Sequence, residues 1–186
     1  MSWDGERYQH QFDALAASGV DVHGEADFVM TLHPRTVLDA GCGSGRVAVE
    51  LARRGVEVVG ADAEPSMIAA ARRRGPELTW VVGDLAELEL GRLFDVVVMA
   101  GNVPLFTAAG TQAALVAGCR RHVGPTGALV AGFQLGRGYD LETYDHDCRT
   151  SGLELVERWA TWDREPFTTR SNYAVSVHRD PSQVGP

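Results

Sequence analysis

Apolar and polar positions along this chain fall into short runs that switch between two periods. Compact apolar runs of strand length lie at 36–40, 56–61, 78–82, 94–100 and 128–133. Between them, over 44–54, 65–75, 109–122 and 140–151, apolar residues recur at three- and four-residue spacing, which predicts helices. Gly55 closes the first of these helices, and Pro65, a favoured first-turn residue, opens the second. Phe94 to Ala100 is almost unbroken, the pattern of a central strand buried on both faces. Two β-rich runs, 153–161 and 172–179, end the pattern and are expected to pair antiparallel. Upstream, residues 3–17 read as a helix carrying Trp3, Tyr8, Phe12 and Leu15, and residues 21–32 as a second helix. His33-Pro34 stops it, because the residue before proline avoids the α region.

Strand–helix alternation predicts an α/β fold, a parallel sheet with helices on both faces. Right-handed crossovers make it a doubly wound sandwich. The chain divides accordingly into an N-terminal helical cap (1–33), a main domain (34–180) and a flexible tail (181–186). Ligands in such folds sit beyond the carboxyl ends of the strands. That rule selects Asp39 to Gly45, Asp62 to Ala63, Gly83 to Leu85, and Ala100 to Asn102.

Composition narrows the partners. The 186 residues suffice for one domain, and a net charge of −8 argues against a large nucleic-acid surface. The basic residues cluster as Arg53-Arg54, Arg72-Arg73-Arg74 and Arg120-Arg121, at the ends of predicted helices, where cations complement the dipole. Cys42, Cys119 and Cys148 form no CxxC and no Cys/His metal spacing, so no metal is expected and a reducing, cytoplasmic setting is. No apolar run approaches the ~20 residues that span a bilayer. The expectation is a monomer or homodimer with a small-molecule partner, no nucleic acid and no membrane.

The chemistry lies at the strand ends. Gly41-x-Gly43-x-Gly45 is not the dinucleotide fingerprint, since Arg46 fills the sixth position. Asp39, just before the glycines, repels a pyrophosphate but suits an amino group. Asp62 ends the second strand, where a carboxylate can accept both hydroxyls of a ribose. Asp84 ends the third and is placed for an exocyclic amine. Three acids with a glycine turn suit a cationic, phosphate-free nucleoside.

Val37-Leu38-Asp39-Ala40-Gly41-Cys42-Gly43-Ser44-Gly45-Arg46 resembles the first motif of the class I S-adenosylmethionine (SAM)-dependent methyltransferases. Val58 to Met67 resembles the second, Val81-Val82-Gly83-Asp84-Leu85 and Phe94 to Met99 the third and fourth, and Val123 to Val130 the proline-glycine turn before strand five. Thr126 departs from the glycine common in that turn. The resemblance covers about residues 20–179 and implies a Rossmann-like, mostly parallel seven-stranded sheet with an antiparallel last strand. It implies SAM as cofactor and S-adenosylhomocysteine as product. Asp39, Ala40 and the Gly41-Cys42-Gly43 turn would hold the methionine portion. Asp62 would bind the ribose, Ala63 and Met67 would flank the adenine, and Gly83, Asp84 and the Leu85 N–H would face its edge. The Ala100 carbonyl would meet the ammonium, and Tyr8 and Phe12 would close the site.

Methyl transfer is an in-line displacement, so positioning carries most of the rate, and a general base is needed only for a protonated nucleophile. Candidates for orienting or deprotonating an acceptor are Asn102 above all, then Tyr8 and His23, with His10, Gln134 and Tyr139 on the same rim. Trp159, Trp162, Phe167 and Tyr173 read as hairpin packing, with a substrate-pocket wall as the alternative. Cys42 reads as packing rather than reactive, and Asp95 as structural. The modest cap and the absence of a large insertion favour a small-molecule acceptor. Two other readings remain: a non-catalytic SAM-binding module, and a nicotinamide-dependent oxidoreductase, against which Arg46 and Asp39 weigh.

Overall fold

The computed structural model describes residues 23–183. The order is α1 (Gly24–Met30), β1 (Thr36–Ala40), α2 (Arg46–Arg53), β2 (Glu57–Asp62), α3 (Pro65–Arg74), β3 (Thr79–Val82), β4 (Phe94–Met99), α4 (Val103–Phe106), α5 (Gln112–Arg120), β5 (Val123–Gln134), α6 (Leu141–Thr150), β6 (Glu154–Trp159) and β7 (Tyr173–Arg179), then a 3₁₀ turn at Pro181–Gln183. The seven strands form one sheet in the order β3-β2-β1-β4-β5-β7-β6. β1 to β5 run parallel, and β7 lies antiparallel between β5 and β6. This is the expected doubly wound sandwich. The predicted helix over 3–17, and with it Tyr8, His10 and Phe12, lies outside the described residues.

Period-two alternation sorts the core into two layers. Val37, Val58, Val96, Val98, Ala128 and Val130 face α1, α2 and α3. Leu38, Val59, Val97, Met99, Leu129 and Phe133 face α5 and α6. β4 is therefore buried on both faces, as its apolar run predicts. Asp95 points out of this layer: its Oδ2 accepts the Arg35 and Thr36 N–H groups at 2.8 and 3.0 Å, stapling the starts of β1 and β4.

Two elements differ from the pattern. The stretch read as a turn at 124–127 belongs to β5, which starts at Val123. The pairing jumps from Phe94–Val123 to Val96–Ala128, so Gly124 to Gly127 bulges between two paired segments. The second is α4, a four-residue helix hidden in the run between β4 and α5. It begins with Pro104 in its first turn and is too short to show a helical period.

Candidate active site

The glycine turn is assembled from both sides. Gly41 and Cys42 donate their N–H groups to the Ala61 carbonyl at 2.8 and 3.0 Å, so the turn is hung on the end of β2. Gly41 has φ +78°, and a Cβ there would stand 2.5 Å from Val103 Cγ2 of α4. Gly43 has φ +53°, with no atom within 4 Å of where its Cβ would stand. Gly43 also lines a cavity beyond the strand ends, into which a side chain there would project. Beneath the turn, the Trp80 ring of β3 fills the space left by Gly45 and Gly60, whose Cβ atoms would come within 2.4 and 2.3 Å of it.

Asp39 and Asp62 tie this turn to the sheet. Gly45 is the N-cap of α2 and has no side chain to offer. Asp39 Oδ2 takes that place, accepting the Ala48 N–H at 3.1 Å. Burial pushes the Asp39 carboxyl up to about 7, although the nearby Arg46 charge and the Ala48 N–H favour its ionised form. Asp62 Oδ2 accepts the Gly43 N–H and Oδ1 the Glu64 N–H, both at 2.9 Å. A carboxylate has about four lone-pair sites, so two remain for a ligand. Cys42 lies in the same turn. Burial pushes its thiol well above the ordinary range, so it stays protonated, the packing role read from the sequence.

These groups converge on a cavity of about 670 Å³ beyond the carboxyl ends of β1 to β4. Of the residues implicated from sequence, Asp39, Gly41, Cys42, Gly43, Asp62, Ala63, Met67, Asp84, Leu85 and Ala100 line it. Ala40 and Gly83 do not: the Ala40 side chain is buried in the layer facing α5, and Gly83 donates its N–H to the Asp62 carbonyl at 3.0 Å. The lining also includes residues not singled out from sequence, among them Arg46, Val103, Phe106, Thr107, Thr111 and Glu87. Arg46 grips Glu25 of α1 through NH1–Oε2 at 3.0 Å and NH2–Oε1 at 2.5 Å, which brings α1 to the edge of the cleft. Only the departure from the dinucleotide fingerprint marked Arg46 in the sequence. α4 carries Val103 and Phe106, and no periodic signal could place it.

Of the expected acceptor-handling residues, the described ones, Asn102, His23, Gln134 and Tyr139, do not line the cleft. The Asn102 side chain turns to β5, where Oδ1 accepts the Gln134 N–H at 2.7 Å. His23 sits at the start of α1, Nδ1 4.0 Å from Glu50 Oε2. The Tyr139 hydroxyl is buried and donates to Asp147 Oδ2 at 2.7 Å, and burial with that carboxylate pushes its pKa well up. Trp162 packs edge-on against Phe28 of α1 and donates its indole N–H to the Tyr173 hydroxyl at 3.2 Å, the packing role expected of that aromatic set. Among the described residues there is no cluster of three metal-ligating side chains, and no helix is long and apolar enough to cross a membrane.

Comparison with known proteins places this chain in a family. The methyltransferase domain model matches residues 37–127. A TehB-like SAM-dependent methyltransferase of Corynebacterium glutamicum is 37% identical, with 95% of this chain and 97% of that one aligned at a TM-score of 0.89. Among curated relatives, the magnesium-protoporphyrin O-methyltransferase of Rhodobacter capsulatus is 43% identical over 39% of this chain and 34% of its own length. The cypemycin N-terminal methyltransferase of a Streptomyces species is 40% identical over 52% of this chain and 41% of its own length. The chain thus spans less than half of these two curated relatives. It belongs to the class I SAM-dependent methyltransferases. The cofactor of that family is SAM, which sets aside the nicotinamide reading.

Proposed function

We propose that this chain binds SAM in the cleft above β1 to β4 and passes its methyl group to a small-molecule acceptor. The observation that carries the reading is the convergence of Asp39, Asp62 and Asp84, from three successive strand ends, on one cavity with the open glycine turn. The residues fit the cofactor's chemistry. Gly43 leaves space no side chain fills, and Asp62 is pre-oriented by two backbone N–H groups with acceptor capacity to spare. Ala63, Met67 and Leu85 supply apolar surface beside Asp84. When bound, SAM supplies a methyl group on a sulfonium, open to in-line displacement.

The chain's own groups do the holding. Asp62 would take the ribose hydroxyls and Asp84 the adenine edge, while Asp39 offers a carboxylate to the ammonium and the Ala100 carbonyl a second acceptor. Asp39 is buried at the base of the cleft, where a positive ligand favours its ionised form. Methyl transfer from a sulfonium draws on orientation and the exclusion of water, and a general base is needed only where the acceptor's nucleophile carries a proton. The two curated relatives are named for a porphyrin O-methylation and an N-terminal methylation, acceptors too unlike each other to transfer to this chain.

Calorimetric titration with S-adenosylhomocysteine tests the reading. It predicts one site per chain with a Kd well below ~1 mM, and no binding at that concentration would overturn it. Labelled-methyl transfer across a panel of small amines, alcohols and carboxylates then separates an enzyme from a non-catalytic SAM-binding module.

A further inference from the structure

Asn102 stands between two stretches that line the cleft yet does not line it. Ala100 and Gly101 precede it and Val103 and Phe106 follow, all four on the cleft wall. The β4–β5 ladder ends at Met99–Ala131. There the chain turns off the sheet through two consecutive left-handed residues, Gly101 at φ +73° and Asn102 at φ +68°. Asparagine tolerates that region better than other residues with a Cβ, but it still needs surrounding contacts to hold it there. Asn102 has them on both sides. Its own N–H donates to the Gly132 carbonyl at 3.1 Å, and its side-chain Oδ1 accepts the Gln134 N–H at 2.7 Å. The side chain thus stands in for the strand hydrogen bond that the left-handed turn gives up. From the same residue α4 starts, with the Leu105 N–H on the Asn102 carbonyl at 2.8 Å. This start aims Val103 at the glycine turn, so closely that a Cβ on Gly41 would collide with it.

We infer that Asn102 is a positioning residue, a clamp between the ends of β4 and β5 that sets the cleft wall facing the glycine turn. It acts through Ala100, Gly101 and Val103 rather than by touching the acceptor. The sequence singles out Asn102 for orienting a substrate directly; the geometry gives its side-chain oxygen to the protein instead. In-line transfer is sensitive to small displacements, so a clamp of this kind acts on both cofactor affinity and turnover.

Three substitutions test it. Asn102→Asp keeps an acceptor for the Gln134 N–H, Asn102→Gly keeps the backbone turn but removes the acceptor, and Asn102→Ala removes the acceptor and strains the turn. Amide exchange at Gln134, read on the unliganded protein, is expected to speed up about tenfold in the glycine and alanine variants and to stay near the parent rate in the aspartate variant. This readout does not depend on what the cleft binds. The proposal otherwise rests on the methyl-transfer reading: S-adenosylhomocysteine affinity is expected to fall about tenfold in Asn102→Ala and to hold within about threefold in Asn102→Asp. Parent protein that does not bind the compound contradicts the functional reading and leaves the exchange result to judge the clamp. Unchanged Gln134 exchange in both the glycine and alanine variants overturns the clamp. So does an aspartate variant as weak in binding as the alanine one, which instead makes the Asn102 amide a direct ligand contact.

Discussion

Asp39→Asn separates what the buried acid costs the fold from what it gives the site. Asp39 is 1% exposed, and burial raises its carboxyl from an ordinary 3.8 to about 7. Between those values the folded chain holds a proton that the unfolded chain has released, so stability falls as pH rises. Below 3.8 both states are protonated and there is no penalty. Above about 7 both are ionised and the penalty is fully present, roughly 4 kcal/mol in all. More than half of it develops between pH 5 and pH 8. Asparagine keeps an oxygen to accept the Ala48 N–H but carries no charge to desolvate. Urea unfolding of both proteins at pH 5 and pH 8 gives two changes in stability, and their difference isolates position 39, because the other titrating groups are common to both. At a typical slope for a domain of this size, the parent midpoint should drop about 1 M further than that of Asp39→Asn. The same substitution should weaken S-adenosylhomocysteine binding most at pH 8, where the parent carboxylate is ionised to meet an ammonium. Parallel pH profiles for the two proteins would contradict this, because Asp39 would then titrate alike folded and unfolded.

Asp62→Ala removes an acceptor already oriented by the Gly43 and Glu64 N–H groups. It is expected to weaken S-adenosylhomocysteine by ~1.5–3 kcal/mol, roughly tenfold to a hundredfold by calorimetry, and an unchanged affinity would exclude Asp62 from the site. Gly60→Ala places a methyl 2.3 Å from the Trp80 ring and 3.1 Å from Cys42 Sγ. Overpacking there should cost ~1–3 kcal/mol in denaturant unfolding, and a neutral result would show that the ring beneath the glycine turn is free to shift.

The strands of this fold are legible because each is a local pattern: a short apolar run, period two where one face is exposed and unbroken where both are buried, as in β4. The glycine turn and the acids at the strand ends are legible too, because a doubly wound sheet gathers strand termini wherever the strands lie in sequence. Features set by contacts between distant segments are not. Arg46 looks like a first-turn residue until α1 brings Glu25 against it. Trp80 reads as an ordinary strand residue, yet its ring supports a turn that precedes it by a whole βα unit. Asn102 shows the limit most sharply. Its place after β4 marks it as a site residue, but its partner is a backbone N–H on β5, which no spacing rule predicts. Val103 and Phe106 stay hidden because one helical turn carries no period.

A crystal structure of the chain with S-adenosylhomocysteine would show whether the turn and the three acids form a cofactor cleft. The ligand is expected in the cavity beyond β1 to β4, its ribose on Asp62, its adenine among Met67, Asp84 and Leu85, and its amino acid portion over Gly41 to Gly43. Density for the ligand anywhere else, or in this cleft without contact to Asp62, would contradict that expectation.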